Sequence, residues 1–334
     1  MGKKSIFRKY NSTFWTANTM ELFERWAWYG MFMLLALYLT GSQDEGALGF
    51  SQAQKGNMMG PVVALLYFMP LITGAIADRY GYKIVLIVAY AIMASGYALL
   101  AFIKDYTLFY LAFVWLAVGA ALFKPVITAT VAKTTDKSTS SVGFGIFYMM
   151  VNLGALIGPF VASKLKAFSW EYIFLASAVI MLVNMILVLT IYKEPAREYS
   201  YDPLLKSVKK MLQNVWVAVK DVKFALFLII IIGFWSMYNQ LFYTLPVFID
   251  QWMDTSVLFD GLYRFSPALA NAIGNPAKGI IEPEIMTNLD AFYIVLFQIL
   301  ISTIVQRFRP LSAMISGFII ASIGISLSFA FNSP

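Results

Sequence analysis

Nine long apolar runs leave this chain very few ways to fold. They cover roughly residues 14–40, 55–78, 83–104, 106–132, 141–163, 170–192, 223–249, 289–306 and 310–332. Each is long enough to cross a bilayer, which takes about 20 residues of helix, although the eighth lies near the lower limit. Backbone inside hydrocarbon must satisfy its own hydrogen bonds, so only helices and closed barrels can span it. The runs lack the in–out alternation of barrel strands. An all-α membrane protein is therefore expected. Composition agrees, with 60% apolar and 13% charged residues, against about 45–50% and 25% in soluble domains.

What is missing narrows the chemistry. The chain has no cysteine and no histidine. Disulfides and thiolate metal sites are excluded. A proton carrier inside the membrane must then be a carboxylate, or a lysine whose pKa is depressed. No phosphate-binding glycine loop, metal cluster or nucleophile–base pair stands out, so no enzyme, cofactor or metal is expected. The formal net charge of +7 does not point to nucleic acid, because the basic residues sit in short loops between apolar runs.

Those loops set an orientation. Lys3, Lys4, Arg8 and Lys9 precede the first run. Arg79 and Lys83, Lys133 and Lys137, then Lys193, Arg197, Lys206, Lys209, Lys210, Lys220 and Lys223, and finally Arg307 and Arg309 fall in alternate loops. Positive loops stay inside, which places the N-terminus and these loops in the cytoplasm. Lys164 and Lys166 fall on the opposite side and are outvoted. The opening segment lacks a small-residue cleavage site and leads into a full span, so no removable signal peptide is expected.

Between runs six and seven, Asp202 can cap a helix with Pro203 at its first position. Apolar residues from Leu204 to Val219 then recur at helical spacing, opposite Lys206, Lys209 and Lys210. This reads as a basic amphipathic helix on the inner membrane surface. It separates a six-helix half, 1–192, from a partial second half, 223–334, through a linker at 193–222. Six plus three helices suggest a six-plus-six transporter that ends after its ninth helix. Residues 250–288 form a long outer insertion with Gly261, Pro267, Gly274, Pro276, Gly279 and Pro283. It reads as a long loop, either a lid or an inert insertion.

Four charges lie where charges are costly. Glu21, Glu24 and Arg25 share one face of the first helix, because they are three and four residues apart. Lys124 lies deep in the fourth run. Intramembrane charges mark pathways or relays by default. The competing reading is a lock, in which the charges neutralise one another to hold helix 1 against helix 4.

Glu21-Leu-Phe-Glu24-Arg25-Trp-Ala-Trp28-Tyr29-Gly30 resembles the Glu-x-x-Glu-Arg-Phe-x-Tyr-Tyr-Gly motif of the proton-dependent oligopeptide transporters, with Trp26 and Trp28 replacing its phenylalanine and first tyrosine. Gly119-Ala-Ala-Leu-Phe-Lys124-Pro125 is similar to that family's helix 4 motif, with Ala121 in place of a glycine. Phe147-Tyr148-Met-Met-Val-Asn152-Leu-Gly154 and Phe234-Trp235-Ser-Met-Tyr-Asn239-Gln240 resemble its helix 5 and helix 7 patterns. Gly74-Ala-Ile-Ala-Asp78-Arg79-Tyr-Gly81-Tyr-Lys83 looks like the inner-loop signature of the major facilitator superfamily.

The resemblance implies a monomeric symporter of di- and tripeptides with protons in the cytoplasmic membrane. Arg25 and Lys124 would bind the peptide carboxylate. Glu21 and Glu24 would carry the proton or hold Lys124. Trp28, Tyr29, Asn152, Trp235 and Asn239 would line the substrate site, and Asp78 and Arg79 would stabilise one gate state. Apart from the resemblance, Tyr67 and Tyr148 either point into the same cavity or pack. Two departures stand out. The family's helix 7 glutamate is Asn239 here, and its helix 8 asparagine–proline pair is Asp290-Ala291. Either Asp290 takes over as the second half's cation partner, or it is only a solvated helix start. The rival readings are a carrier of another small solute and a transport-dead scaffold or sensor.

Overall fold

A computed structural model of the chain describes residues 10–137, 139–196, 204–305 and 308–330. Lys3, Lys4, Arg8, Lys9, Arg197, Arg307 and the expected cap Asp202-Pro203 lie outside the described residues. The described elements are helices, apart from a single antiparallel bridge between Asn275 and Ile280. Two compact units divide the chain at Met1–Phe224 and Ala225–Pro334.

The first unit contains α1 (Ser12–Thr40), α2 (Gln52–Phe68), α3 (Pro70–Tyr80), α4 (Tyr82–Phe102), α5 (Tyr106–Lys133), α6 (Ser140–Lys166), α7 (Trp170–Thr190) and α8 (Leu204–Val219). Local chemistry sets the ends. The Asn11 side chain accepts from Phe14 N at 2.8 Å, Ser51 and Gln54 form a reciprocal capping box, and Asp105 accepts from Leu108 N at 2.9 Å. Each satisfies amide donors that a helix start leaves unpaired. The second apolar run is not one straight rod. Pro70 has no N–H to give, so the run breaks into α2 and α3, bent by 43°.

Helix α1 packs on α6 and α7, and α4 packs on α5 and α7. Two glycines let α6 come close to α1. A Cβ at Gly158 would stand 2.5 Å from Trp26 O, and one at Gly154 would stand 2.6 Å from Leu22 O. Small residues that admit a neighbouring backbone are the usual solution where both helices are already in an apolar solvent.

The second unit is built differently. Its apolar run is broken into α9 (Val222–Tyr238), α10 (Gln240–Tyr243) and α11 (Leu245–Trp252). The breaks fall at Asn239 and at Thr244, just ahead of Pro246. Asp221 caps the start, accepting from Lys223 N at 2.9 Å. Two further apolar helices follow, α15 (Leu289–Val305) and α16 (Pro310–Ala330).

The stretch expected as a long loop is folded. It forms α12 (Ser256–Phe265), α13 (Pro267–Ile273) and α14 (Pro283–Thr287). Phe259, Ala270, Ile281 and Ile285 make a small core of their own, with Leu262, Ile273 and Met286 against it. Its glycines and prolines punctuate short helices, and loop composition concealed that.

Among the described residues, five helices are long and apolar enough to cross a membrane, or six if α2 and α3 count as one bent span. Helix α1 has the length, at 29 residues, but carries Glu21, Glu24 and Arg25.

Candidate functional site

The site grows from one turn of α1. Glu21, Glu24 and Arg25 fall on one face because a helix repeats every 3.6 residues. Both carboxylates are fully buried. Arg25 offers its planar fork to Glu24, with Nε at 2.5 Å from Oε2 and Nη2 at 2.7 Å from Oε1. The same Nε lies 3.6 Å from Glu21 Oε1. Lys124 Nζ donates to that oxygen from α5. Two carboxylates thus meet two cations, and Glu21 is the shared partner. A bidentate guanidinium contact is the strongest of these pairings, so Lys124–Glu21 is the pair easier to exchange.

The cations face outward and the carboxylates lie behind them. The Lys124 side chain is 37% exposed and that of Arg25 is 12% exposed, whereas both glutamates are at 0%. Aromatic faces flank the cations. Arg25 stands over the Tyr29 ring at 5.7 Å, and Lys124 over the Phe147 ring of α6 at 5.3 Å. Both are cation–π distances. Tyr67 of α2 is 74% exposed. Tyr148 is exposed as well, and the half-buried Asn152 donates to Tyr148 O at 2.9 Å. Trp28 is different. Its ring is buried and stacks on Phe32 at 5.3 Å, which makes it a packing residue inside the first unit.

Placing Lys124 beside a proline has a structural price that a third helix meets. Pro125 cannot donate to the carbonyl four residues back, Ala121. The buried Thr73 hydroxyl of α3 donates to Ala121 O at 2.7 Å instead. The sequence carried that signal, since a mid-helix proline announces one orphan carbonyl.

The expected gate residues are both exposed. Asp78 accepts from Tyr82 OH at 3.3 Å. The carboxylate on the start of α4 is that of Glu194, a residue the sequence reading passed over. Its oxygens accept from Tyr82 N at 2.9 Å and Lys83 N at 3.4 Å. A negative group there satisfies unpaired amides and complements the helix dipole. Gly81, at φ 106°, makes the turn that exposes those amides.

In the second unit, Trp235 is 52% exposed, and Asn239 donates to Trp235 O at 2.7 Å. Asp290 is half-buried in the first turn of α15 and accepts from Tyr238 OH at 3.2 Å. The carboxylate in helix 8 is thereby hydrogen-bonded to the neighbour of Asn239, the residue that replaces the family's glutamate. Among the described residues Asp290 makes no ion pair. No cluster of three or more His, Cys, Asp or Glu able to hold a metal ion occurs among the described residues.

Bundled apolar helices, five of them long and apolar enough to cross a membrane, around a buried charge cluster define an all-α membrane protein. The chain belongs to the Major Facilitator Superfamily, which it matches over residues 19–334. It is 32% identical over 170 residues to "Uncharacterized transporter YclF" of Bacillus subtilis (strain 168), covering 50% of this chain and 35% of that protein. It is 27% identical over 245 residues to "Dipeptide and tripeptide permease A" of Serratia proteamaculans (strain 568), covering 70% of this chain and 45% of the permease. The chain therefore spans less than half the length of these curated relatives. The crystal structure of a POT family transporter in complex with a thioalcohol-conjugated peptide shares the fold. Its TM-score is 0.62 at 18% identity, over 91% of this chain and 73% of that one. These relatives are transporters and not enzymes.

Proposed function

We propose that this protein carries small peptides across the cytoplasmic membrane together with protons, as a monomer, by alternating access of two helical halves with the N-terminus inside. One observation carries the reading: Lys124 is open to an arriving anion, with Arg25 partly exposed beside it, while both of their carboxylate partners are buried. A peptide carboxylate reaches the cations first and competes with Glu21 for Lys124. Protonating Glu21 or Glu24 removes the internal competitor and favours the substrate. Deprotonation then restores the pair and favours release. In a dry site each of these exchanges is worth more than it would be in water. The relatives named as dipeptide and tripeptide permeases support the substrate class. The roles of Tyr29, Tyr67, Asn152 and Trp235 as lining, of Asp290 as the second half's carboxylate, and of Asp78 and Arg79 in the gate belong to the same proposal.

Asn239 favours a second reading, a carrier of another small carboxylate solute, because an amide cannot exchange a proton as a glutamate would. Two measurements test these readings in proteoliposomes containing the longest native product of the gene. Labelled dialanine should accumulate only with an acidic exterior, and Glu24→Gln should abolish that dependence. Peptides with a free C-terminus should compete, and those with a blocked one should not. Equal competition by both would sink the carboxylate role of Arg25 and Lys124.

A further inference from the structure

Behind the charge cluster lies a second set of polar groups that the symport scheme above does not use. Asn18 Oδ1, Glu21 Oε2, Tyr90 OH, Tyr97 OH and Asn184 Oδ1 are buried without a hydrogen-bond partner. All five residues are fully buried. They come from α1, α4 and α7, which pack on one another. A bare buried polar atom costs about 1–3 kcal/mol, so an apolar bundle does not keep several of them without function or bridging water. Tyr97 stands about 10 Å further along α4 than Tyr90 and lies outside the layer described next.

Their level can be read from the contacts at one end of the unit. Thr13 Oγ1 donates to Lys193 O at 3.0 Å, and Glu194 receives the first amides of α4. The starts of α1 and α4 and the end of α7 therefore meet at residues 193–194. Counting inward at 1.5 Å per residue, Glu21, Tyr90 and Asn184 stand about 9–14 Å from that end. They share one layer, and the Asn184 amide donates to Met20 O at 3.0 Å, next to Glu21. Tyr90 is fully buried on α4 in the same layer as Glu21 on α1. On α5 its neighbour is the apolar ring of Phe123, at 5.5 Å. Between this layer and Glu194, the buried Tyr192 and Thr130 hydroxyls form a pair at 2.8 Å.

We propose that Glu21, Tyr90, Asn18 and Asn184, continued by Tyr192 and Thr130, form a proton exit inside the first unit, separate from the face on which Lys124 is exposed. Glu21 suits such a role because its two oxygens have different surroundings. Oε1 takes the cations, and Oε2 has no protein partner. When Lys124 returns to Oε1, the carboxyl's proton leaves by the other oxygen. Each hydroxyl accepts a proton and passes on its own, so one proton moves and every hydroxyl is restored. Asn18 and Asn184 cannot exchange protons. They hold the bridging water in line. Glu194, at the aqueous end, is the last acceptor before solvent.

The inference rests on the symport reading, and the test separates the two. The full chain is reconstituted with a pH-sensitive dye in the lumen, and wild type is compared with Tyr90→Phe and Tyr192→Phe. Labelled dialanine is followed in two arms. One is uptake driven by an acidic exterior, which requires proton release. The other is exchange against unlabelled dialanine at equal pH, which does not. Each variant should lose roughly tenfold in driven uptake and lumenal acidification, the effect of one hydrogen bond to a charged group, and keep wild-type exchange. Wild-type rates in both arms would overturn the exit. Equal losses in both arms would also overturn it, because the tyrosines would then act by packing. Wild type failing to move protons with peptide would instead remove the symport reading, and this inference with it.

Discussion

The two units handle charge in opposite ways. In the first, Glu21, Glu24, Arg25 and Lys124 neutralise one another within one turn of α1 and its neighbour α5, and the carboxylates are fully buried. In the second, the family's helix 7 carboxylate is an amide, and Asp290 is half-buried against a phenol. Half of the most apolar stretch of α4 is buried, whereas α9 has no buried residue among those described. Both stretches are apolar enough to cross a membrane, yet only that of α4 is buried inside the protein. A helix is buried by its neighbours, and charges inside it are tolerable only where those neighbours bring opposite charges and hydrogen bonds.

Substitutions in both units test that contrast. The largest effect is expected from Lys124→Ala, which leaves Glu21 fully buried with only Arg25 nearby, at 3.6 Å. Removing one partner of a fully buried pair costs about 3–5 kcal/mol. Because the Lys124 side chain is 37% exposed and Arg25 remains beside Glu21, the cost here should fall below that range. Proton-driven peptide uptake should be lost and the thermal midpoint in detergent should fall. A variant that transports like wild type would show that Lys124 is only a surface charge.

Next is Gly158→Ala. Its new methyl would sit 2.5 Å from Trp26 O and 2.8 Å from Gly30 N. Overpacking against backbone should cost about 1–3 kcal/mol, read as a lowered thermal midpoint. Gly233→Ala in the second unit meets nothing within 4 Å and should leave that midpoint unchanged.

Asp290→Asn sharpens the comparison from the other side. If Asp290 replaces the missing glutamate, uptake should fall by roughly fivefold, about 1 kcal/mol in the barrier, and lose part of its pH dependence. Uptake with an unchanged pH profile would make Asp290 a helix start and nothing more.

The smallest effect belongs to Asp254. Hydrogen bonds from Ser256 Oγ at 2.6 Å and Ser256 N at 2.9 Å hold its carboxyl below the usual aspartate range. A depressed folded pKa stabilises α12 above the ordinary value of about 3.9, and that support is lost as pH falls through the folded value. The protection of the amides at the start of α12, taken relative to their intrinsic exchange rate at each pH, should therefore fall on acidification in wild type, and the step should vanish in Asp254→Asn.

Sequence and tertiary structure contributed different things. Apolar runs of bilayer length dictated helices, because hydrocarbon offers the backbone no other partner. Spacing alone put Glu21, Glu24 and Arg25 on one face, because helical periodicity is local. The orphan carbonyl created by Pro125 was also legible, since proline acts within one turn, whereas the break at Pro70 was not, because Pro61, Pro125 and Pro159 lie inside unbroken helices. The rest depended on what was brought alongside. Thr73 reaching Ala121, Glu194 capping α4 and Asn184 reaching Met20 join residues 48, 112 and 164 positions apart, and no local pattern encodes such meetings. Trp28 lies in the motif that carries the family resemblance, yet it is buried, because a motif marks the helix and the packing around it decides which side is open. The insertion at 250–288 reads as a loop because its glycines and prolines are visible one by one, while the core of Phe259, Ala270, Ile281 and Ile285 exists only once the chain has folded back on itself.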